Sequence, residues 1–126
     1  MAKVLLFNIK GEKRTRILFL LLQLGLPCRQ ISSTELSMTL GELTGREKLG
    51  PAKKPAQFFE EEMLVMDGLE PGQFRALLDG LRRKRATVAL KAIVTEQNLT
   101  WTAWELCQAL REEHERFSRM AAAQQK

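Results

Sequence analysis

Five polar side chains follow the predicted strands: Asn8, Lys10, Asp67, Thr95 and Asn98. In an open parallel sheet, ligands bind beyond the carboxyl ends of the strands, at the point where the strand order reverses. One carboxylate, one amine and two amides gathered there could hold a small anion or a polar metabolite. A local reading competes and is favoured. Asp67 precedes Gly68 in a turn, and Asn98 closes a turn of its own, as these residue types commonly do.

An aspartate after strand three and a threonine after strand four also suggest a phosphoryl-accepting receiver. That chemistry needs an acidic pair after strand one, because magnesium takes hard oxygen ligands. Phe7-Asn8-Ile9-Lys10 offers none, and no fifth strand with its lysine follows. A Walker loop, a dinucleotide glycine fingerprint and a nucleophile elbow are all missing. No catalytic motif is recognisable, which points away from an enzyme, and no cofactor is expected.

His114 is the lone histidine, so no His-His metal site can form. It falls on the apolar face of the last helix, where a packed, hydrogen-bonded ring is favoured over proton transfer. Cys28 and Cys107 lack zinc spacing and read as two reduced thiols, one of them in the core. Lys91 interrupts an apolar strand and is expected to snorkel to the sheet edge and meet a carboxylate. Arg82, Arg83, Lys84 and Arg85 could join the loop lysines Lys48, Lys53 and Lys54 in a basic patch, with Trp101 and Trp104 stacking on bases. A solvated helix end, its cations facing the helix dipole, is the preferred reading. Nucleic acid is therefore not the expected partner.

The elements that position these residues can be read in order. Lys3 to Ile9 is a short apolar run typical of a strand buried on both faces. Glu12 to Leu24 is a helix, with Gly25 as its C-cap and Pro27 as a stop. Cys28 to Ser32 is a polar second strand, suited to an edge. Ser33 or Thr34 caps a short segment carrying Leu36, Leu40 and Leu43. Residues 45–60 read as a loose basic loop. Glu62 to Met66 is a third strand. Pro71 opens a helix with Phe74, Leu77, Leu78 and Leu81 on one stripe. Thr87 to Thr95 is a fourth strand, ended by Glu96-Gln97-Asn98. Thr102 and Glu105 form a capping box, and Trp101 with Leu106 fits a hydrophobic staple. Leu106, Cys107, Leu110, His114 and Phe117 then share one helical face. No internal repeat and no low-complexity segment is apparent in the residue pattern. Residues 121–126 are expected to fray.

This order, βαβαβαβα, predicts an α/β fold: a small four-stranded parallel sheet, order 2-1-3-4, flavodoxin-like, with helices on both faces. An α+β layout with one antiparallel strand is the alternative. At 126 residues the chain reads as one domain over 1–120. Its hydrophobic fraction of 44% and charged fraction of 28% are ordinary for a globular protein. A net charge of +5 permits anionic partners without requiring them. Ile17 to Leu26 is too short to span a bilayer, so the reading is cytoplasmic, with no membrane partner.

Gly25-Leu26, Leu40-Gly41-Glu42-Leu43-Thr44-Gly45, Glu62-Met63-Leu64-Val65-Met66, Leu90-Lys91-Ala92-Ile93-Val94-Thr95, Asn98, Trp101-Thr102 and Glu113-His114 together resemble a family of small bacterial proteins. That family is a domain of unknown function, number 3783, and the resemblance extends over nearly the whole chain. The Leu-Lys-Ala-Ile-Val-Thr run with its downstream Asn and Trp-Thr is the most specific part. The resemblance implies a compact stand-alone bacterial domain and brings no catalytic residues.

Across Ile17 to Leu24 only Gln23 is polar, so apolar residues cover more than the stripe a helix buries on a sheet. Phe19, Leu20 and Leu22 are the candidate interface. The expectation is a non-catalytic interaction module: a homodimer or a complex with an unidentified protein.

Overall fold

The computed structural model describes residues 2–47 and 57–124, with backbone alone over 121–124. Lys48, Lys53 and Lys54, and the last two residues of the expected frayed tail, lie outside the described residues. Four strands, β1 (Lys3–Phe7), β2 (Cys28–Ile31), β3 (Met63–Asp67) and β4 (Leu90–Ile93), form one open sheet. Four helices accompany them: α1 (Gly11–Gln23), α2 (Leu40–Thr44), α3 (Pro71–Arg83) and α4 (Ala103–Gln124).

The strand order is β2-β1-β3-β4, as the apolar character of strands one and three predicts. Their directions correct the all-parallel, flavodoxin-like expectation. β1 runs parallel to β2 and β3 parallel to β4, but β1 and β3 are antiparallel, with Leu5 opposite Val65. The reason lies in the connection before β3. α2 ends beside the Lys3/Asp67 end of the sheet, where Lys3 Nζ donates to Thr44 O at 3.1 Å. Phe59 is already at the other end, its ring centroid 6.0 Å from that of Phe7. The chain is thus back at the Phe7/Met63 end before β3 begins, so β3 runs from that end and opposes β1.

α1 and α3 cover one face through Ile17, Leu20, Leu21, Leu77 and Leu81, packed on Val4, Leu6, Leu64 and Met66. α2 and α4 cover the other through Leu40, Leu43, Ala103, Leu106 and Cys107, packed on Leu5, Phe7, Met63 and Val65. Helices therefore lie on both faces. Period-two alternation in the two central strands assigns each side chain to one of two cores.

A repeat that the sequence does not announce is present in the backbone. Positions 3–26 correspond to 63–86 at a constant offset of 60, which matches the bounds of β1 with those of β3 and of α1 with those of α3. Positions 28–44 correspond to 91–107 at an offset of 63, because three extra residues precede β4. The strand ends match at Asn8 and Gly68, with φ of 60° and 71°. The helix ends match at Gly25 and Arg85, with φ of 68° and 53°. Both helices close with the same pair of bonds: Gly25 N–H to Leu22 O and Leu26 N–H to Leu21 O, then Arg85 N–H to Arg82 O and Ala86 N–H to Leu81 O. Ser32, directly after β2, and Thr95, two residues after β4, open the same turn, with Ser32 N–H on Glu35 Oε1 and Thr95 N–H on Asn98 Oδ1.

A pseudo-twofold axis normal to the sheet relates the halves. Equivalent residues that touch must lie beside it, and three pairs do. Leu5 and Val65 are register partners in the sheet. Thr39 and Thr102 form an isolated antiparallel bridge on one face. Leu20 sits over Gly80 on the other, where a Cβ on Gly80 would lie 2.5 Å from Leu20 Cδ1.

Candidate functional site

The antiparallel centre divides the polar set expected at the strand ends. Asp67, Thr95 and Asn98 are at one end of the sheet, and Asn8 and Lys10 are at the other. Asn8, Asp67, Thr95 and Asn98 all use their side chains within the fold. Asn8 adopts a left-handed backbone and donates Nδ2 to Phe59 O at 2.8 Å and Glu61 O at 3.0 Å, tying down the start of β3. Asp67 is buried at 4% exposure and accepts from Arg46 Nε at 3.0 Å and Nη2 at 2.5 Å. That pairing raises the Arg46 pKa further above its ordinary value, chiefly through the hydrogen bond. Thr95 and Asn98 exchange bonds: Thr95 N–H to Asn98 Oδ1 at 2.8 Å, and Asn98 N–H to Thr95 Oγ1 at 3.2 Å. Asn98 also donates to Ile93 O at 3.0 Å. Lys10 is exposed beside the start of α1.

An open cleft of about 420 Å³ lies at the Phe7/Met63 end, lined by Glu61, Glu62, Ala89, Leu90, Arg111, His114 and Glu115. α4 creates it by running past the sheet, whereas the equivalent α2 stops at Gly45 with φ 82°. Residues 111–120 are all exposed in consequence. His114, expected to be packed, is therefore exposed, and Phe117 is 68% exposed. Glu61 Oε2 pairs with Arg111 Nε at 2.8 Å, and Glu62 Oε1 with Lys13 Nζ at 2.5 Å. Cys107 is fully buried at the root of this helix. Burial first, and then Glu61, push its thiol up to about 11, against the opposing pull of Arg111. Cys107 is thus protonated near neutrality and is no nucleophile. Among the described residues, no three His, Cys, Asp or Glu side chains are grouped as a metal ion would require.

The remaining expectations resolve locally. Lys91 reaches the Val88 carbonyl at 2.5 Å rather than a carboxylate, and burial lowers its pKa. Arg82 pairs with Asp79 at 2.6 Å, and Arg83, Lys84 and Arg85 form the helix end, so the basic run is the C-terminus of α3. Thr102 and Glu105 make the expected capping box, while Trp101 stays 37% exposed.

On α1, Phe19 is 59% and Leu22 is 76% exposed. Leu20, grouped with them on sequence, is buried at 3%, because Gly80 lets α1 and α3 approach closely there. The equivalents of Phe19 and Leu22 on α3 are Asp79 and Arg82, an ion pair in water. The same backbone position thus carries two large apolar side chains in one half and two charges in the other.

Residues 62–117 match the family model of a domain of unknown function, DUF3783. The match supports the resemblance read from the sequence over a shorter stretch than expected; Gly25-Leu26 and Leu40 to Gly45 fall outside it. The DUF3783 region comprises β3, α3, β4 and α4 as far as Phe117, including most of the cleft lining. Phe19 and Leu22 lie outside it. No curated protein and no solved structure matches the chain.

Almost nothing in the side chains of the first half repeats in the second. The one trace in the sequence is that Thr39-Leu-Gly-Glu-Leu43 and Thr102-Ala-Trp-Glu-Leu106 share the capping box and the following core leucine at the 63-residue offset.

Proposed function

We propose that the protein is a non-catalytic interaction module that pairs with a second copy of itself through the outer face of α1. The observation that carries this reading is the contrast between Phe19/Leu22 and Asp79/Arg82. The α3 positions support that helix with charges facing water, so the fold itself does not need apolar groups there. Exposed large apolar side chains on one helix face are a cost unless something covers them. A second copy, placed about a twofold axis on α1, covers both sets with one surface. The polar strand-end residues support the non-catalytic part, since their bonds are spent on turns, capping and the Arg46–Asp67 pair.

Sedimentation at micromolar concentration tests the proposal. The wild-type protein should sediment as a dimer and Phe19→Glu as a monomer of unchanged fold. A monomeric wild-type protein overturns the reading, and so does a dimer that survives Phe19→Glu together with Leu22→Glu.

A further inference from the structure

We infer that Lys3–Thr44 is a second, diverged copy of the unit whose family model matches at 62–117, and that the surface along β3 and Gly80 is where one unit binds another. The occupant of that surface in this chain is the first unit. Three independent features carry the inference.

The first is register. The offset of 60 holds without a break through strand, turn, helix and helix cap, over 3–26 and 63–86. Similar elements arising separately would have no reason to share lengths and the left-handed positions 8/68 and 25/85; Gly11, at φ 65°, is the exception, since Pro71 stands at the equivalent position.

The second is contact about the axis. Leu5 with Val65, Leu20 with Gly80, and Thr39 with Thr102 are each equivalent residues in direct contact. The bonds flanking the threonine bridge obey the same exchange, since Leu40 N–H donates to Trp101 O and Ala103 N–H to Met38 O. Position 38 is the equivalent of 101, and 40 of 103.

The third is need. β3 alone would be an edge strand whose Met63, Leu64, Val65 and Met66 are apolar on both faces. Exposed edges of that kind invite pairing with another strand. β1 supplies the pairing here and completes the burial of all four residues. Gly80 supplies the matching recess for a helix, and Leu20 fills it. The unit that the family model detects is therefore built to be one half of a pair, and this protein carries its partner in the same chain.

Exchange across the axis tests the inference on the full chain. Leu20 and Gly80 occupy equivalent helix positions, so Leu20→Gly with Gly80→Leu moves the knob to the other helix and keeps the glycine count of the pair unchanged. Gly80→Leu alone places two leucines in one recess and should lower the thermal midpoint by about 10 °C or more. The double variant should recover most of that loss. If the double variant falls by the sum of the two single losses, positions 20 and 80 are not interchangeable and the inference fails. If Gly80→Leu alone costs nothing, the recess is not a docking feature and the inference fails as well. Should Gly80→Leu be too unstable to purify, the double variant against Leu20→Gly alone gives the same reading: recovery supports the inference, and further loss overturns it.

Discussion

Thr39 and Thr102 face each other in an antiparallel bridge, and each caps the helix that leads away from it. Glu42 N–H donates to Thr39 Oγ1 and Glu105 N–H to Thr102 Oγ1, both at 3.2 Å. Each threonine N–H in turn donates to its glutamate Oε1, at 2.9 Å and 3.1 Å. Two helix starts are thus fixed back to back at the centre of one face. Thr102→Ala and Thr39→Ala should each cost about 1 kcal/mol. The double variant should cost less than the sum, by about 0.5 kcal/mol or more, because opening one cap loosens the bridge the other relies on. Urea unfolding of the four proteins measures this cycle. Strict additivity would mean that the two caps act independently.

Arg85 occupies the left-handed position that closes α3, at φ 53°, where α1 has Gly25. A side chain there costs roughly 1–2 kcal/mol of local strain, partly offset by the lower chain entropy of a non-glycine residue when unfolded. Arg85→Gly should therefore stabilise the protein by about 0.5–1 kcal/mol, and Gly25→Ala should destabilise it by about 1 kcal/mol. Thermal melts of the pair check both signs together.

Arg46 is half exposed, and its side chain holds the buried carboxylate of Asp67 through two bonds. Arg46→Ala would leave that carboxylate without its guanidinium partner at 4% exposure. The expected loss is about 2 kcal/mol, the scale of a hydrogen-bonded charge that loses its partner. Arg46→Ala with Asp67→Asn should recover part of it. If the single variant matches the wild type in urea, water at the surface has replaced Arg46.

Cys107 should impose a pH dependence at the alkaline end. Its folded-state pKa of about 11 lies above the ordinary 9.0 because burial and Glu61 disfavour the thiolate. The unfolded thiol ionises first as pH rises, so stability is full below about pH 8.5 and is lost toward pH 11. A shift from 9.0 to about 11 corresponds to roughly 3 kcal/mol. Urea midpoints of the wild type and Cys107→Ala, compared at about pH 8 and about pH 10.5, should converge as pH rises. Parallel curves would mean that the buried thiol does not titrate with unfolding.

Much of the fold is legible in local pattern. The apolar runs of Val4–Phe7 and Met63–Met66 mark the buried centre of the sheet, because strands covered on both faces carry continuous apolar residues. The stripe on α3, Gly25 after α1 and the Thr102/Glu105 box mark helix faces and ends, because those preferences act within one or two turns. The polar strand-end residues were legible as turn formers for the same reason, since Thr95 and Asn98 bond to each other within four residues.

What the sequence by itself determined is therefore the main elements, their order in the sheet and the start of α4; the segment expected to begin at Ser33 or Thr34 is instead a 3-10 turn capped by Ser32 and a separate α2 capped by Thr39. The direction of β3, the division of Asn8 and Lys10 from Asp67, and the exposure of His114 were decided only in the tertiary structure. Strand direction depends on the end of the sheet at which the chain enters β3, and an apolar strand reads the same in either direction. The stripe through Leu106, Leu110, His114 and Phe117 is one helical face, but only the length of the sheet decides where along α4 that face leaves the core. The pseudo-twofold axis is the furthest from the sequence. It rests on contacts such as Leu5–Val65 and Leu20–Gly80, whose partners are 60 residues apart. Packing at an axis requires complementary side chains rather than identical ones, so a leucine in one half is answered by a glycine in the other.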